Sequence, residues 1–191
     1  MEGVYQKMRI ALVGAHNTGK TSLFHRMYSN YKFSGHEFFP EVIREVQRNG
    51  FAINEHADDA SQLAMCSYHL KHLHWANFVT DRCLLDNYVY AKVLSMAENP
   101  KVSFKCVETI YHYFDQTKND IDLYIYCPIS FEMRDDGLRT INKQFQVDID
   151  NAFQNVLKCI PEEKILRVSG ETDARFQQVL KRFNELRGEE E

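Results

Sequence analysis

Residues 14–21 read Gly-Ala-His-Asn-Thr-Gly-Lys-Thr, and no other stretch narrows the possible folds as far. The octet matches the pattern GxxxxGK[ST], which at average residue frequencies arises by chance in about one chain of this length in a hundred. Its chemistry works in one setting. A strand must deliver the chain to the loop and a helix must leave from it, so that backbone N–H groups and the helix N-terminus converge on one anion. Both flanks are present: Lys7-Met-Arg-Ile-Ala-Leu-Val13 is a short apolar run that stops at Gly14, and Thr18 to Tyr28 carries helix formers with Leu23, Phe24 and Met27 on one side. In such a loop the glycines let backbone N–H groups approach phosphate oxygens, Lys20 reaches the β- and γ-phosphates, and Thr21 ligates Mg²⁺. Gly14, Asn17, Thr18, Gly19, Lys20, Thr21 and Ser22 are therefore the nucleotide-binding candidates, with ATP and Mg²⁺ as the expected cofactors. His16 lies inside the loop and is assigned no catalytic role.

The alternation continues along the chain. Phe38-Phe39 before Pro40 reads as the end of a second strand, 60–74 as a helix, and 77–80 as a third strand closing on Asp81. Helices are expected over 87–97 and 104–114. The β-branched and aromatic run Ile121-Asp-Leu-Tyr-Ile-Tyr-Cys127 is the clearest strand, expected at the centre of the sheet and stopped by Pro128. A helix over 148–159, a strand over 164–168 and a last helix capped by Thr172 and running to Leu186 complete the pattern. Strands alternating with helices predict an α/β, three-layer P-loop NTPase fold with a central, mostly parallel five-stranded sheet. Ligands of such sheets sit at the carboxyl ends of strands, where Gly14, Pro40-Glu41, Asp81-Arg82 and Pro128 all fall.

Composition removes other classes. The chain has 191 residues, one domain's worth, with 44% hydrophobic and 26% charged residues, which leaves no room for a disordered or fibrous reading. No apolar stretch approaches the ~18 residues of a membrane span, and the start carries no secretory pattern, so a soluble, cytoplasmic protein is expected. Five scattered cysteines without a CxxC pair argue against a disulfide framework or a thiolate metal site and read as buried thiols. A net charge of -4 counts modestly against tight, phosphate-driven nucleic-acid binding.

Two kinds of P-loop protein fit poorly. A GTPase switch needs DxxG and NKxD segments, and Asn142-Lys143-Gln144-Phe145 lacks the guanine-reading aspartate. A ring-forming ATPase needs a longer module and an acidic pair closing its second motif strand. A small kinase fits better. Asp81-Arg82 followed by Asp86-Asn-Tyr88-Val-Tyr90-Ala91 resembles the Asp-Arg segment of thymidylate kinases and the Glu-Arg-Ser segment of deoxynucleoside kinases. Phe39-Pro40-Glu41-Val-Ile-Arg44-Glu45 resembles the Pro-Glu segment of deoxynucleoside kinases and of nicotinamide ribonucleoside kinase-like proteins. Arg134-Asp-Asp-Gly-Leu-Arg139 resembles their arginine-bearing lid, and Arg167-Val-Ser-Gly170 falls where they hold adenine. Cys83 departs from both the Asp-Arg-Tyr and the Glu-Arg-Ser forms, so the acceptor is not carried over.

The resemblance spans nearly the whole chain in the right order. It implies a single kinase domain over 1–187 with a lid at about 131–146, then an acidic tail over 188–191. The implied activity is ATP- and Mg²⁺-dependent transfer of a γ-phosphoryl group to a nucleoside, nucleotide or related alcohol. It also admits a homodimer and a DNA substrate, namely the hydroxymethyl group of a modified pyrimidine such as 5-hydroxymethyluracil; a nucleotide-binding ATPase switch without an acceptor is the alternative of another class. In-line phosphoryl transfer needs a metal, positive charge on the moving group and a proton acceptor. Asp81 is expected to hold Mg²⁺ or act as base. Glu41 is a candidate base or orienting carboxylate, or simply an acid at a helix start. Arg44 and Arg82 would hold the acceptor, or pair with Glu41 or Glu45. Arg134 and Arg139 would close over the phosphates, or remain solvated loop charges. Tyr88 is the preferred ring for stacking an acceptor base. His69, His72 and His74, without a carboxylate partner, make only half a metal site.

Overall fold

The computed structural model describes residues 7–130 and 142–189, so most of the expected lid, with Arg134 and Arg139, lies outside the described residues. Five strands form one sheet: β1 (Arg9–Val13), β2 (Glu37–Phe39), β3 (Phe78–Asp81), β4 (Leu123–Tyr126) and β5 (Ile165–Arg167). Their order is β2-β3-β1-β4-β5 and every neighbouring pair is parallel. The middle place belongs to β1, not to β4 as its composition suggested. β4 lies one position out and is still buried on both faces.

Among the described residues seven α-helices accompany the sheet: α1 (Lys20–Tyr28), α2 (Ile43–Arg48), α3 (Asp59–His72), α4 (Leu84–Ser95), α5 (Phe104–Thr117), α6 (Lys143–Val156) and α7 (Thr172–Arg187). Side chains alternate across each strand, so the sheet feeds two separate cores. Ala11, Val13, Tyr124 and Tyr126 pack with residues of α3, α4, α5 and α6. Ile10, Leu12, Leu123 and Ile125 pack on the other face with Leu23, Phe24 and Met27 of α1 and with Phe176, Val179 and Phe183 of α7. Full burial of each such side chain favours the fold by roughly 1.5–3 kcal/mol against exposure.

Several helices begin where local capping dictates. α4 starts three residues before the expected position because Cys83 and Asp86 form a capping box. α6 starts at Lys143, since the Asn142 side chain accepts from Phe145 N–H at 3.1 Å. The stretch 142–146, expected in the lid, thus belongs to a helix and its cap. α7 has Glu171 at its N-cap with no side-chain cap bond, so Thr172 is the first helical residue and not the cap. At the other end Gly188 takes φ 65°, and Glu189 accepts from Lys32 at 2.8 Å and pairs with Arg187 at 2.9 Å. These contacts tie down the start of the expected tail. Among the described residues no helix is long and apolar enough to cross a membrane.

Candidate active site

The loop after β1 is curled by left-handed residues: Gly14 at φ 137°, Asn17 at 56° and Gly19 at 82°. Thr18 Oγ1 donates to Ala15 O at 2.9 Å, and Lys20 Nζ donates to Ala15 O at 2.5 Å and to Thr18 Oγ1 at 3.2 Å. The ammonium is thus folded back onto its own loop. Burial, with the Arg82 charge adding to it, pushes the Lys20 pKa down to about 8, while Asp81 and Asp86 oppose the shift. Ser22 is exposed on α1, one residue past the partly buried Thr21.

β3 delivers Asp81 beside this loop, because its register pairs Leu12 with Asp81. Thr21 Oγ1 donates to Asp81 Oδ2 at 2.7 Å. The other oxygen, Oδ1, is buried and makes no hydrogen bond among the described residues. Burial, then Glu41, push the Asp81 carboxyl up, while Lys20, Arg82 and Thr21 hold it down. A hydroxyl joined to a carboxylate with one orphaned oxygen is a hard, oxygen-only donor set, which fits Mg²⁺.

Arg82 follows at φ 81°, a left-handed conformation rare for a non-glycine residue and costing of order 1–3 kcal/mol. Its partners hold it there. Nε donates to Glu41 Oε1 at 2.5 Å, Nη1 to Asp86 Oδ1 at 3.3 Å and to Gly14 O at 3.4 Å, and the guanidinium lies 5.0 Å from the centre of the Tyr90 ring. Burial works against its charge, but Tyr90, Glu41, Asp86 and Asp81 raise its pKa well above the ordinary value. Asp86 also accepts from Gly14 N–H at 3.4 Å and from Cys83 N–H at 3.2 Å. Burial lifts its pKa to about 6, against the pull of Arg82 and Lys20.

Beyond the Glu41–Arg82 pair opens a cleft of about 550 Å³ including its solvent-filled mouth. Val42, Ile43 and Met65 supply apolar wall, and Gln62, His69, Asn87 and Tyr90 supply polar groups. Asn87 Nδ2 donates to Gln62 Oε1 at 2.7 Å and to Gln62 O at 3.3 Å, which fixes the orientation of both amides. Asn87 Oδ1 then remains buried without a hydrogen bond among the described residues. His69 is also buried; burial, then the charges of His72 and Arg82, push its pKa down to about 3, so it is neutral at pH 7.

The structure therefore brings Gly14, Thr18, Lys20, Thr21, Asp81, Arg82 and Glu41 together. Tyr88 is elsewhere: its ring stacks on Phe114 at 5.7 Å and 9° and meets Tyr111 at 5.0 Å, between α4 and α5. Tyr90, two residues on, is the tyrosine that lines the cleft. Arg44 points outward on α2, exposed and away from the cleft lining. His69 and His72 are near neighbours, with ring centroids 5.9 Å apart, but among the described residues no group of three ligating side chains could hold a metal. The sequence alone gives Gln62, His69, Asp86 and Asn87 no place at the cleft, although His69, Asp86 and Asn87 fall in segments it singles out. A signal was there, since Asp86, Asn87 and Tyr90 share one helical face, as do Gln62 and His69 two turns apart. His16 holds the loop against its neighbours: its N–H donates to Tyr90 Oη at 2.9 Å, its ring stacks on Phe145 at 5.7 Å, and its carbonyl accepts from Gln146 at 2.7 Å.

A family model described as an AAA domain matches residues 9–175. The chain belongs to that family. No curated protein matches the AAA-domain chain by sequence. Among solved structures it superposes on a NadR protein in complex with NR with a TM-score of 0.75 and 18% identity, over 97% of this chain and 53% of that one. The AAA-domain chain thus spans about half the length of NadR. It superposes on deoxyadenosine kinase from M. mycoides, with products dcmp and a flexible dcdp bound, at a TM-score of 0.68 and 18% identity, covering 94% of this chain and 100% of that one. For thymidylate kinase from Candida albicans the values are 0.65 and 13%, over 96% and 93%. At these identities the likeness is one of fold, and it falls on the kinase groups whose motifs the sequence resembles.

Proposed function

We propose that this AAA-domain protein is a kinase that transfers the γ-phosphoryl group of ATP to a nucleoside, a nucleotide or a related alcohol. The observation that carries the reading is the open cleft joined to the phosphate loop through Arg82. A nucleotide switch without an acceptor has no use for such a cleft, whereas a phosphotransferase needs a second site in line with the first. The amide pair suits a flat acceptor, because Asn87 Oδ1 takes a hydrogen bond from a planar ring edge and the Tyr90 ring and aliphatic wall cover apolar surface.

The residues divide the work. Thr21 and Asp81 would hold Mg²⁺, which when bound neutralises charge on the phosphates. Lys20 exchanges Ala15 O and Thr18 Oγ1 for phosphate oxygens. Glu41 takes the proton of an acceptor hydroxyl, and Arg82, released from Glu41, steadies the acceptor oxygen or its phosphate. Arg134 and Arg139, which lie outside the described residues, would add further charge over the phosphates if they act as the resemblance implies.

Incubation with labelled ATP and a panel of nucleosides, nucleotides and hydroxymethyluracil-containing DNA tests the proposal. Label on a free nucleoside or nucleotide supports it; label on the DNA alone moves the acceptor to a polymer; absence of any transfer with ATP still bound overturns it. Glu41→Gln keeps an acceptor for Arg82 but cannot take a proton, so kcat on a hydroxyl acceptor is expected to fall about 10²–10⁴-fold with little change in the KM for ATP. Asp81→Asn keeps an oxygen for Thr21 and loses the charge. It is expected to raise the Mg²⁺ concentration needed for half-maximal rate by an order of magnitude or about that, read from a metal titration at saturating ATP.

A further inference from the structure

Arg175, in the first turn of α7, is among the largest fully buried side chains of the protein, at 2% exposure. Its guanidinium reaches three loops at the carboxyl edge of the sheet. Nη1 donates to Thr18 O at 2.6 Å, Nε to Gly170 O at 2.7 Å, and Nη2 donates to Ser130 Oγ. These acceptors belong to the phosphate loop after β1, to the turn after β5, and to the stretch that follows β4. Burying a guanidinium is costly even when its hydrogen bonds are made, and α7 has an apolar anchor of its own in Phe176, Val179 and Phe183. Anchoring the helix does not account for the arginine.

The bond to Thr18 O does. A trans peptide points its C=O and N–H in opposite directions, so a carbonyl turned back toward Arg175 turns the N–H of Gly19 the other way. Gly19 is left-handed at φ 82° and glycine is conformationally permissive, so this peptide needs an outside hold to keep one orientation. A charged donor on the carbonyl also polarises the peptide and strengthens its N–H as a donor.

We infer that Arg175 is a positioning residue for phosphate: it fixes and polarises the Thr18–Gly19 peptide so that the Gly19 N–H is presented to the phosphates of the bound nucleotide. The inference rests on the nucleotide-binding reading above. Calorimetric titration of ATP, tripolyphosphate and adenosine into the wild type, R175K and R175M tests it, with circular dichroism and thermal melting on each variant. R175M is expected to lose about 10- to 100-fold in affinity for ATP and tripolyphosphate, to leave adenosine binding within about twofold, and to leave the KM of the acceptor unmoved. R175K, with one ammonium able to reach Thr18 O, is expected to recover part of the loss. If R175M does not fold, R175K decides by the same comparison of tripolyphosphate with adenosine. Equal binding of tripolyphosphate by variants and wild type overturns the inference, and so does a loss that is as large for adenosine, which would put the effect at the Gly170 turn. A wild type that binds neither ATP nor tripolyphosphate overturns the nucleotide site itself.

Discussion

Lys20→Ala is expected to lower kcat/KM about 10³-fold, in a protein that melts close to the wild-type temperature. Removing one well-placed donor from a developing charge costs about 10²–10³ in rate, and here the donor is also a full charge lodged in a water-poor loop. The fold has little to lose, because the ammonium is held by neutral oxygens of its own loop and burial already works against its charge. The same residue sets a pH dependence. With the Lys20 pKa near 8 before nucleotide binds, the lysine is charged at pH 7 and mostly neutral at pH 9. Bound phosphate favours the charged form, so binding takes up a proton at high pH and affinity falls as pH rises through about 8. Titrations of ATP at pH 7 and pH 9 should show that fall in the wild type and a flatter profile in Lys20→Ala.

Gly14→Ala is expected to be the most damaging of the loop substitutions to stability. An added Cβ would lie 2.5 Å from Cys127 O, and the position sits at φ +137°, where an L side chain is strained whatever the space. The obstruction is backbone, held by the bond from Cys127 N–H to Val13 O at 2.9 Å, so relief means parting β1 from β4 at the middle of the sheet. A loss of roughly 2–4 kcal/mol is expected, from strain of 1–3 kcal/mol plus disrupted packing. Denaturant unfolding checks it, with Gly35→Ala as the control: nothing lies within 4 Å of a Cβ there, and the change should stay within about 0.5 kcal/mol.

The motif and its flanks were readable because they are local: eight residues dictate a strand before and a helix after, and the parallel alternation follows from short apolar runs. Strand order was harder. β4 is buried throughout and β1 at all but Arg9, so the β-branched and aromatic composition of β4 is no guide to which strand takes the middle. At the site, Asp81 and Glu41 were legible as acids just past strand ends. The pairing of Glu41 with Arg82, one of the two roles the sequence offers that arginine, is set by a left-handed backbone at Arg82 that no propensity anticipates. Tyr88 and Tyr90 lie two positions apart on α4 and so face different neighbours; only the packing around α4 shows that Tyr88 stacks on Phe114 while Tyr90 meets Arg82. Gln62 and Asn87 look like ordinary polar residues until two helices set them side by side.

Asp86 gives the site one more property. A single carboxylate oxygen accepts from Gly14 in the nucleotide loop and from Arg82 at the acceptor cleft. If the proposed phosphotransfer holds, movement of Arg82 toward an acceptor changes what the phosphate loop is bonded to, and the two substrates are linked through a shared ligand. Linkage of this kind is reciprocal: the factor by which ATP alters the affinity of the acceptor must equal the factor by which the acceptor alters that of ATP. On the proposed function, a site wired through one carboxylate is expected to bind its two substrates as a matched set.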